Sequence, residues 1–316
     1  MTPTPKKVDP PAHTTVIQSR LPLFLPVLRL PRRAAGADIA LENPWGTIRI
    51  KKCRLTQVHR DLLDAIFTSA RAPMWLDDGA MVLIFDLRDA QRLLLTSHNH
   101  TWIRNLLDDM LRTVIEIDDS RHRWVIHQGL LREHRYTREP ASRRRGQKAG
   151  ALYAVTLSPS FARLWREDLL VHAPSLVPRV LALRHAVNRA LARMLLTHRE
   201  ASLSLNDALR HIAAIHDGMA ARVVRRTRAK VLAEAEALAT FGIQIGGDGA
   251  IRYRQISGIW FKSPPAQAAL PSLARAPASM DRPFERESAT RGESIFTNKL
   301  IEKIKVMAAR PKRGDP

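Results

Sequence analysis

Apolar residues recur along the middle of the chain at alternating strand and helix spacings, in an order that can be followed element by element. The phrase TIRIKK from Thr47 predicts a short strand, after which Thr56 caps a helix over QVHRDLLDAIFTSA with Val58, Leu62, Leu63, Ile66 and Phe67 on one face. Asp77-Asp78-Gly79 signals a turn, Met81 to Phe85 reads as an apolar strand, and Asp86 leads into a second helix over LRDAQRLLL. Trp102, Ile103, Leu106, Leu107, Met110 and Leu111 set a third helix between His98 and Thr113. Val114 to Ile117, a turn at Asp118-Asp119, and Arg123 to His127 then read as a two-stranded hairpin.

A basic stretch follows, Arg132 to Lys148, with Arg143, Arg144 and Arg145 in sequence; it predicts a loop, read either as a solvated excursion or as a phosphate contact. Beyond a strand at Ala151 to Leu157, Ser158-Pro159 opens a helix. Pro178 to His198 predicts one long helix through Val180, Leu181, Leu183, Val187, Leu191 and Leu195, and Ser204 or Asn206 starts another over LNDALRHIAAIH. His216 to Thr240 reads as a further helix, basic first and Ala-rich later, closing at Gly242. Ile243-Gln244-Ile245, the turn Gly246-Gly247-Asp248-Gly249, and Ile251-Arg252-Tyr253-Arg254 complete a second hairpin.

Helix, strand, helix, helix, hairpin is the order of a winged helix, whose third helix can enter the DNA major groove while the hairpin touches the backbone. The expected fold is therefore α+β, mainly helical, with two tandem winged-helix domains at 47–157 and 158–262. Residues 1–46, rich in Pro and basic side chains, are expected as a flexible arm; 263–293 as a disordered linker; and 294–316 as an amphipathic helix with a basic tail. That last helix carries Ile295, Leu300, Ile301, Ile304 and Met307, and docking on a partner, docking on the body and transient helicity all stay open.

Charge turns this pattern toward a partner. Lys and Arg total 51 against 30 Asp and Glu, a formal charge of +21 and a pI near 11.2, which favours a polyanion, nucleic acid first. Arg222, Arg225, Arg226, Arg228 and Lys230 fall within little more than two helical turns, so some project outward in any register. Arginine suits both phosphate forks and guanine edges. These five, Arg252 and Arg254 of the following hairpin, Arg143, Arg144 and Arg145, and Arg104 with His100 on the third helix are the candidate DNA contacts; the alternative for the arginine-rich helix is a solvated basic face. Aromatic residues make up 5% of the chain, which argues against stacking on single strands and hence against a general RNA-binding scaffold.

Other chemistries find little footing. No apolar run approaches the roughly 20 residues that span a bilayer, and MTPTPKKVDPPAH lacks the apolar region of a signal peptide, so a cytoplasmic protein without membrane contact is expected. Cys53 stands alone and reads as an inert thiol. His98 and His100 flank Asn99, missing the ligand order of rolling-circle nucleases; Tyr136, Tyr153 and Tyr253 show no partner as nucleophiles; His211 and His216 are five apart and miss a shared helix face. Asp108-Asp109 diverge on a helix, and Gly246 to Gly249 lacks the Lys and helix of a phosphate-binding loop. The expectation is no enzyme, no metal and no cofactor.

The tandem order over Thr47 to Lys262 resembles plasmid replication initiator proteins of the TrfA and RepE kind. Two phrases bring it nearer TrfA: Tyr153-Ala154-Val155-Thr156-Leu157-Ser158-Pro159 leading into the second unit, and Leu21-Pro22-Leu23-Phe24 ahead of the first. In TrfA-like proteins a Gln-Leu-x-Leu-Phe peptide binds the polymerase sliding clamp; here Arg20 stands in place of Gln, with Gln18 two positions earlier. The resemblance makes Leu21, Leu23 and Phe24 a candidate clamp motif, against the alternative that the phrase packs on its own domain. It further implies binding of double-stranded origin repeats, recruitment of replicative helicase, self-association as a homodimer, a nucleoid or plasmid association, and no active site. A winged-helix transcriptional regulator without a replication role is the competing function.

Overall fold

The computed structural model describes residues 14–30, 38–43, 46–70, 73–94, 100–119, 124–136 and 152–263. Over these the architecture is α+β, with helices packed against small antiparallel sheets. The described chain starts with β1 (Thr14–Thr15) and α1 (Val16–Arg20), then continues through a series of bends to Leu28, with Leu21, Leu23 and Phe24 in the first core. In the first half come β2 (Ile39–Asn43), β3 (Gly46–Lys51), α2 (Gln57–Ser69), β4 (Met74–Trp75), β5 (Met81–Asp86), α3 (Leu87–Leu93), α4 (His100–Arg112), β6 (Val114–Asp119), β7 (Trp124–Gly129), β8 (Leu131–Tyr136) and β9 (Leu152–Leu157). After α5 (Pro159–Ala162), α6 (Leu164–Glu167) and β10 (Leu170–His172), the second half has α7 (Val177–Ala182), α8 (Ala186–Leu195), β11 (Glu200–Ser204), α9 (Leu205–His211), α10 (Ala221–Leu232), α11 (Ala235–Ala239), β12 (Ile243–Ile245), β13 (Ala250–Arg254) and β14 (Trp260–Lys262).

The two halves repeat one topology. In the first, α2, β5, α3 and α4 precede the strands β8 and β9, and the sheet orders them β5-β9-β8 with β4 at its edge. In the second, α8, β11, α9 and α10 precede β12 and β13, ordered β11-β13-β12. Each unit thus places its last strand between the early strand and its own hairpin partner. The expected hairpin at 114–127 is not the equivalent pair: β6 and β7 join β2 and β3 in a separate sheet ordered β2-β3-β6-β7. Asp118-Asp119, expected as a turn, lie within β6, paired with Val125 and Trp124. Arg132 to Tyr136, expected as loop, form most of β8. The sequence misleads here because a basic strand with one face in water alternates weakly and reads as loop.

Residues 14–28 are not a flexible arm. Leu23 and Phe24 are fully buried and Leu21 nearly so, all within the first hydrophobic cluster. Pro22 and Pro26 exclude regular structure without excluding fixed backbone pairing: the Leu25 N–H donates to the Leu55 carbonyl, and Gln57 Nε2 donates to the Phe24 carbonyl at 2.9 Å. The candidate clamp motif is therefore core in this structure, as the alternative of packing on its own domain expects.

Two cores result. The first gathers α2, α3, α4 and β5 with Phe161, Leu164 and Trp165, so its packing runs past residue 157; the second gathers α8, α9, Val231 of α10, Ile251 and Tyr253. They meet at β10, where Leu170 belongs to one cluster and Val171 to the other, as strand alternation requires. β10 pairs with β1 on one side and β14 on the other, so strands from the start, middle and end of the described chain form one small sheet at the junction.

A buried ionic joint ties α2 to α8. Arg193 donates to Asp61 at 2.6 Å, to Asp64 at 2.8 Å and to Gln57 at 2.6 Å; Arg189 also pairs with Asp61. Arg60 lies 2.9 Å from Asp64, and its Nη2 donates to Thr14 Oγ1 at 2.7 Å. Burial lowers the proton affinity of the Arg193 guanidinium, and Asp64 and Asp61 more than reverse it.

Two long predicted helices are broken, and one residue, Glu234, touches both breaks. Instead of a single helix over Pro178 to His198, α7 ends at Leu183, which adopts an extended conformation, and α8 starts after His185. The helix expected over His216 to Thr240 divides into α10 and α11 at Glu234. The Glu234 carboxylate accepts from the Arg184 N–H at 2.6 Å, the His185 N–H at 3.0 Å and Asn188 Nδ2 at 2.6 Å, which caps α8 from another helix. Burial pushes its pKa up, but these donors hold it below the ordinary Glu value. Glu234→Ala is expected to cost about 1.5–3 kcal/mol at neutral pH, the range for hydrogen bonds to a charged group. Because the folded pKa is depressed, this contribution is present above the unfolded value and fades as pH falls through the folded one; chemical denaturation of both proteins at pH 7 and pH 3 should show the gap closing.

Candidate nucleic-acid interface

Helix α10 presents four rows. Val224, Arg228 and Val231, at i, i+4 and i+7, form the inner row: Val231 is fully buried, and Val224 packs against the second core. Arg228 in the same row is half-buried and extends over the hairpin tip, its Nη2 lying 3.4 Å from where a Cβ on Gly249 would stand. Arg222, Arg226 and Ala229 form the row diametrically opposite, all exposed. Arg225 flanks it on the Arg228 side, and Val223 with Lys230 flank it on the other. Among the described residues no carboxylate pairs with Arg222, Arg225, Arg226, Arg228 or Lys230, in contrast to the buried arginines of the α2–α8 joint.

The helix is held in place from behind. Asn188 Nδ2 donates to the Lys230 carbonyl at 3.1 Å, linking the end of α10 to α8. At its other end Ala220 offers no side-chain cap, and the first turn holds no acidic residue, so the positive end of the helix dipole is left for an external anion. The adjoining turn favours glycine at Gly249, whose φ is +78°. Gly242, with φ +80°, ends α11 where a Cβ would stand 2.2 Å from the Arg254 carbonyl oxygen.

The other expected contacts are placed differently. Arg252 and Arg254 are exposed on β13, but alternation with buried Ile251 and Tyr253 turns them to the sheet face away from the core, so they form no common row with α10. Arg254 approaches Glu200 at 3.8 Å with both side chains largely in water, a weak contact. On α4, His100 and Arg104 are exposed; the Arg104 guanidinium sits 5.3 Å above the Tyr136 ring, which stacks on Tyr153 at 5.5 Å, and the His100 ring lies 6.5 Å from Tyr153. Arg143, Arg144 and Arg145, along with the linker at 263–293 and the helix at 294–316, lie outside the described residues.

Four of the groups weighed for catalysis are engaged in structural contacts. Asp108 meets His134 at 2.8 Å, and Asp109 meets His59 at 3.4 Å, where His59 also closes the capping box with Thr56. His211 Nδ1 lies 2.9 Å from the Asp207 carbonyl oxygen and His216 Nδ1 2.8 Å from that of Asp217. Among the described residues no three His, Cys, Asp or Glu side chains are grouped to hold a metal, and no helix is long and apolar enough to cross a membrane. Cys53 is half-buried, and burial together with Asp109 pushes its thiol up to about 11. Native protein at pH 8 is accordingly expected to react with a thiol-specific chromogenic disulfide at least tenfold more slowly than unfolded protein; equal rates would contradict the buried, acid-facing placement.

No protein-family model and no curated protein sequence matches the chain. Among solved structures, domains 2 and 3 of RctB are similar at 13% identity and a TM-score of 0.45, covering 72% of this chain and 94% of that one. A second structure of the same two domains gives 12% identity and a TM-score of 0.40, over 75% and 94%. Neither likeness assigns the chain to a family.

Proposed function

We propose that this chain is a sequence-specific binder of double-stranded DNA, built of two tandem winged-helix units, with α10 as its principal reading helix. The observation that carries the reading is the outward row Arg222, Arg226 and Ala229, flanked by Arg225 and Lys230, unpaired with any carboxylate among the described residues and set beside a glycine-rich hairpin tip. A helix of 12 residues is about 18 Å long, and its width suits a major groove about 12 Å across. Arg222 and Arg226 would face base edges, and Ala229 lets the helix approach closely. Arg225 and Arg228, on the hairpin side, would meet phosphate together with the tip at Gly246 to Gly249.

The strand orders β11-β13-β12 and β5-β9-β8 support treating both halves as winged helices. In the first unit the wing is then β8 with β9, and the stretch joining them carries Arg143, Arg144 and Arg145. That position gives the basic stretch a reason to exist as a phosphate contact. Arg104 and His100 on α4 would provide the first unit's groove contacts, fewer and less basic than those of α10.

The resemblance in chain order extends the proposal to a plasmid-type replication initiator that binds origin repeats, recruits replicative helicase and self-associates. The direct trial is a marker-bearing plasmid whose only origin is the gene with its flanking DNA. Autonomous replication supports initiation. Loss of replication alongside intact promoter binding would make the protein a transcriptional regulator instead.

A further inference from the structure

Two outward positions on α10 depart from its basic chemistry: Leu232, its last residue, 50% exposed, and Val223, which stands inside the basic segment. From Arg222 to Lys230 the exposed positions are Arg222, Val223, Arg225, Arg226, Ala229 and Lys230, and Val223 is the one large apolar side chain among them, 41% exposed. It belongs to neither the inner row nor the second core, which takes Val224 and Val231 instead. A solitary exposed valine on a bland surface needs no explanation. Here it stands in a cationic face with an acid-free helix start, where water and charge surround it in the free protein.

We propose that Val223 is a specificity-determining residue that reads the C5-methyl group of thymine, on the base pair next to a guanine held by Arg226. This rests on the proposal that α10 enters the major groove. The groove displays one apolar group, the thymine methyl, and apolar side chains are the ones that distinguish it. Val223 and Arg226 are three residues apart, hence neighbours on the helix surface about 4.5 Å apart along its axis, close to the about 3.4 Å rise between successive bases. Thr227, at i+4 from Val223, spends its hydroxyl on the Val223 carbonyl at 2.9 Å, so it offers its methyl and no free donor to the same spot. The flank therefore sets Val223 beside the Thr227 methyl, one turn ahead of Lys230 and next to the arginine row, an arrangement suited to a thymine adjoining a guanine.

The test uses the full chain and duplexes that it retains from a random-sequence pool. A retained duplex is resynthesised with deoxyuridine in place of thymine, which removes the methyl alone, and binding is followed by fluorescence anisotropy for the wild type, Val223→Ala and Arg226→Ala. The wild type should lose about four-fold in affinity for each recognised methyl. Val223→Ala should bind both duplexes equally, near the wild-type value for the uracil form, and Arg226→Ala should bind more weakly while keeping the methyl difference. Equal wild-type affinity for the two duplexes, or a methyl difference that survives in Val223→Ala, overturns the assignment while leaving DNA reading by α10 intact. Failure to enrich any sequence from the pool overturns both.

Discussion

Arg193→Ala is expected to lower the free energy of unfolding by about 3–5 kcal/mol, the cost of removing one partner from a buried ion pair. Arg193 satisfies oxygens on Asp61, Asp64 and Gln57 at once, and it is the cation that both carboxylates share. Without it Asp61 keeps Arg189 and Asp64 keeps Arg60, but the side chains that faced the lost guanidinium are sealed from water between α2 and α8. Urea denaturation followed by circular dichroism measures the loss. A change under about 1 kcal/mol would mean that water reaches the joint and that the two cores are only loosely coupled. Replacing Arg60, Asp61, Asp64, Arg189 and Arg193 together by apolar residues of similar size, so that no buried charge is left without its partner, should recover much of the loss, because an intact buried ionic cluster contributes little net stability of its own.

The second large effect falls on binding. Arg222→Ala and Arg226→Ala should each cost about 1–3 kcal/mol against a retained duplex and much less against a scrambled one, because both arginines lie on the row farthest from the core. Arg225→Ala should instead weaken binding to both duplexes alike and reduce the slope of affinity against salt by about one counterion. The three substitutions alter exposed side chains with no carboxylate partner among the described residues, so stability should move by no more than about 0.5 kcal/mol. If all three behaved alike, with uniform loss and no change in discrimination, the arginines would be a phosphate grip and the reading helix would have to be sought elsewhere.

The second unit was legible in the sequence because its signals are local. Ser204 as a cap, the Gly-rich turn at 246–249 and the alternation of Ile251 and Tyr253 with Arg252 and Arg254 each announce an element without help from distant residues. The third helix of the first unit was equally plain. What the sequence hid was long-range. Residues 14–28 hold their place through bonds to Leu55 and Gln57, more than two dozen residues away, and no periodicity marks such a strap. Glu234 joins two helix breaks through contacts near residue 185, far outside the window in which each helix is read as continuous. The hairpin at 114–127 was real but belongs to the sheet with β2 and β3, and strand pairing of that kind is decided in three dimensions.

The site divides in the same way. That some of the basic residues from Arg222 to Lys230 point outward follows from helical geometry alone, but which of them turn inward does not: Arg228 shares a row with Val224 and Val231, visible only once the core contacts fix the rotation of α10. A signal for the buried joint was present and unused. Gln57, Arg60, Asp61 and Asp64 form a polar stripe at helical spacing on α2, and Arg189 with Arg193 form its complement at i and i+4 on α8. Basic composition directs attention to surface arginines, so a matched pair of inward stripes is easily taken for solvent-facing polar residues.

The most direct trial of the account compares wild type with the Arg222→Ala, Arg226→Ala double variant, measured by anisotropy on a retained duplex and on its scrambled counterpart across a salt series. The wild type should prefer the retained duplex by at least about 10³-fold with a steep salt slope, and the double variant should lose most of that preference while still binding both duplexes through phosphate contacts. Undiminished preference in the double variant would contradict the claim that α10 reads the sequence.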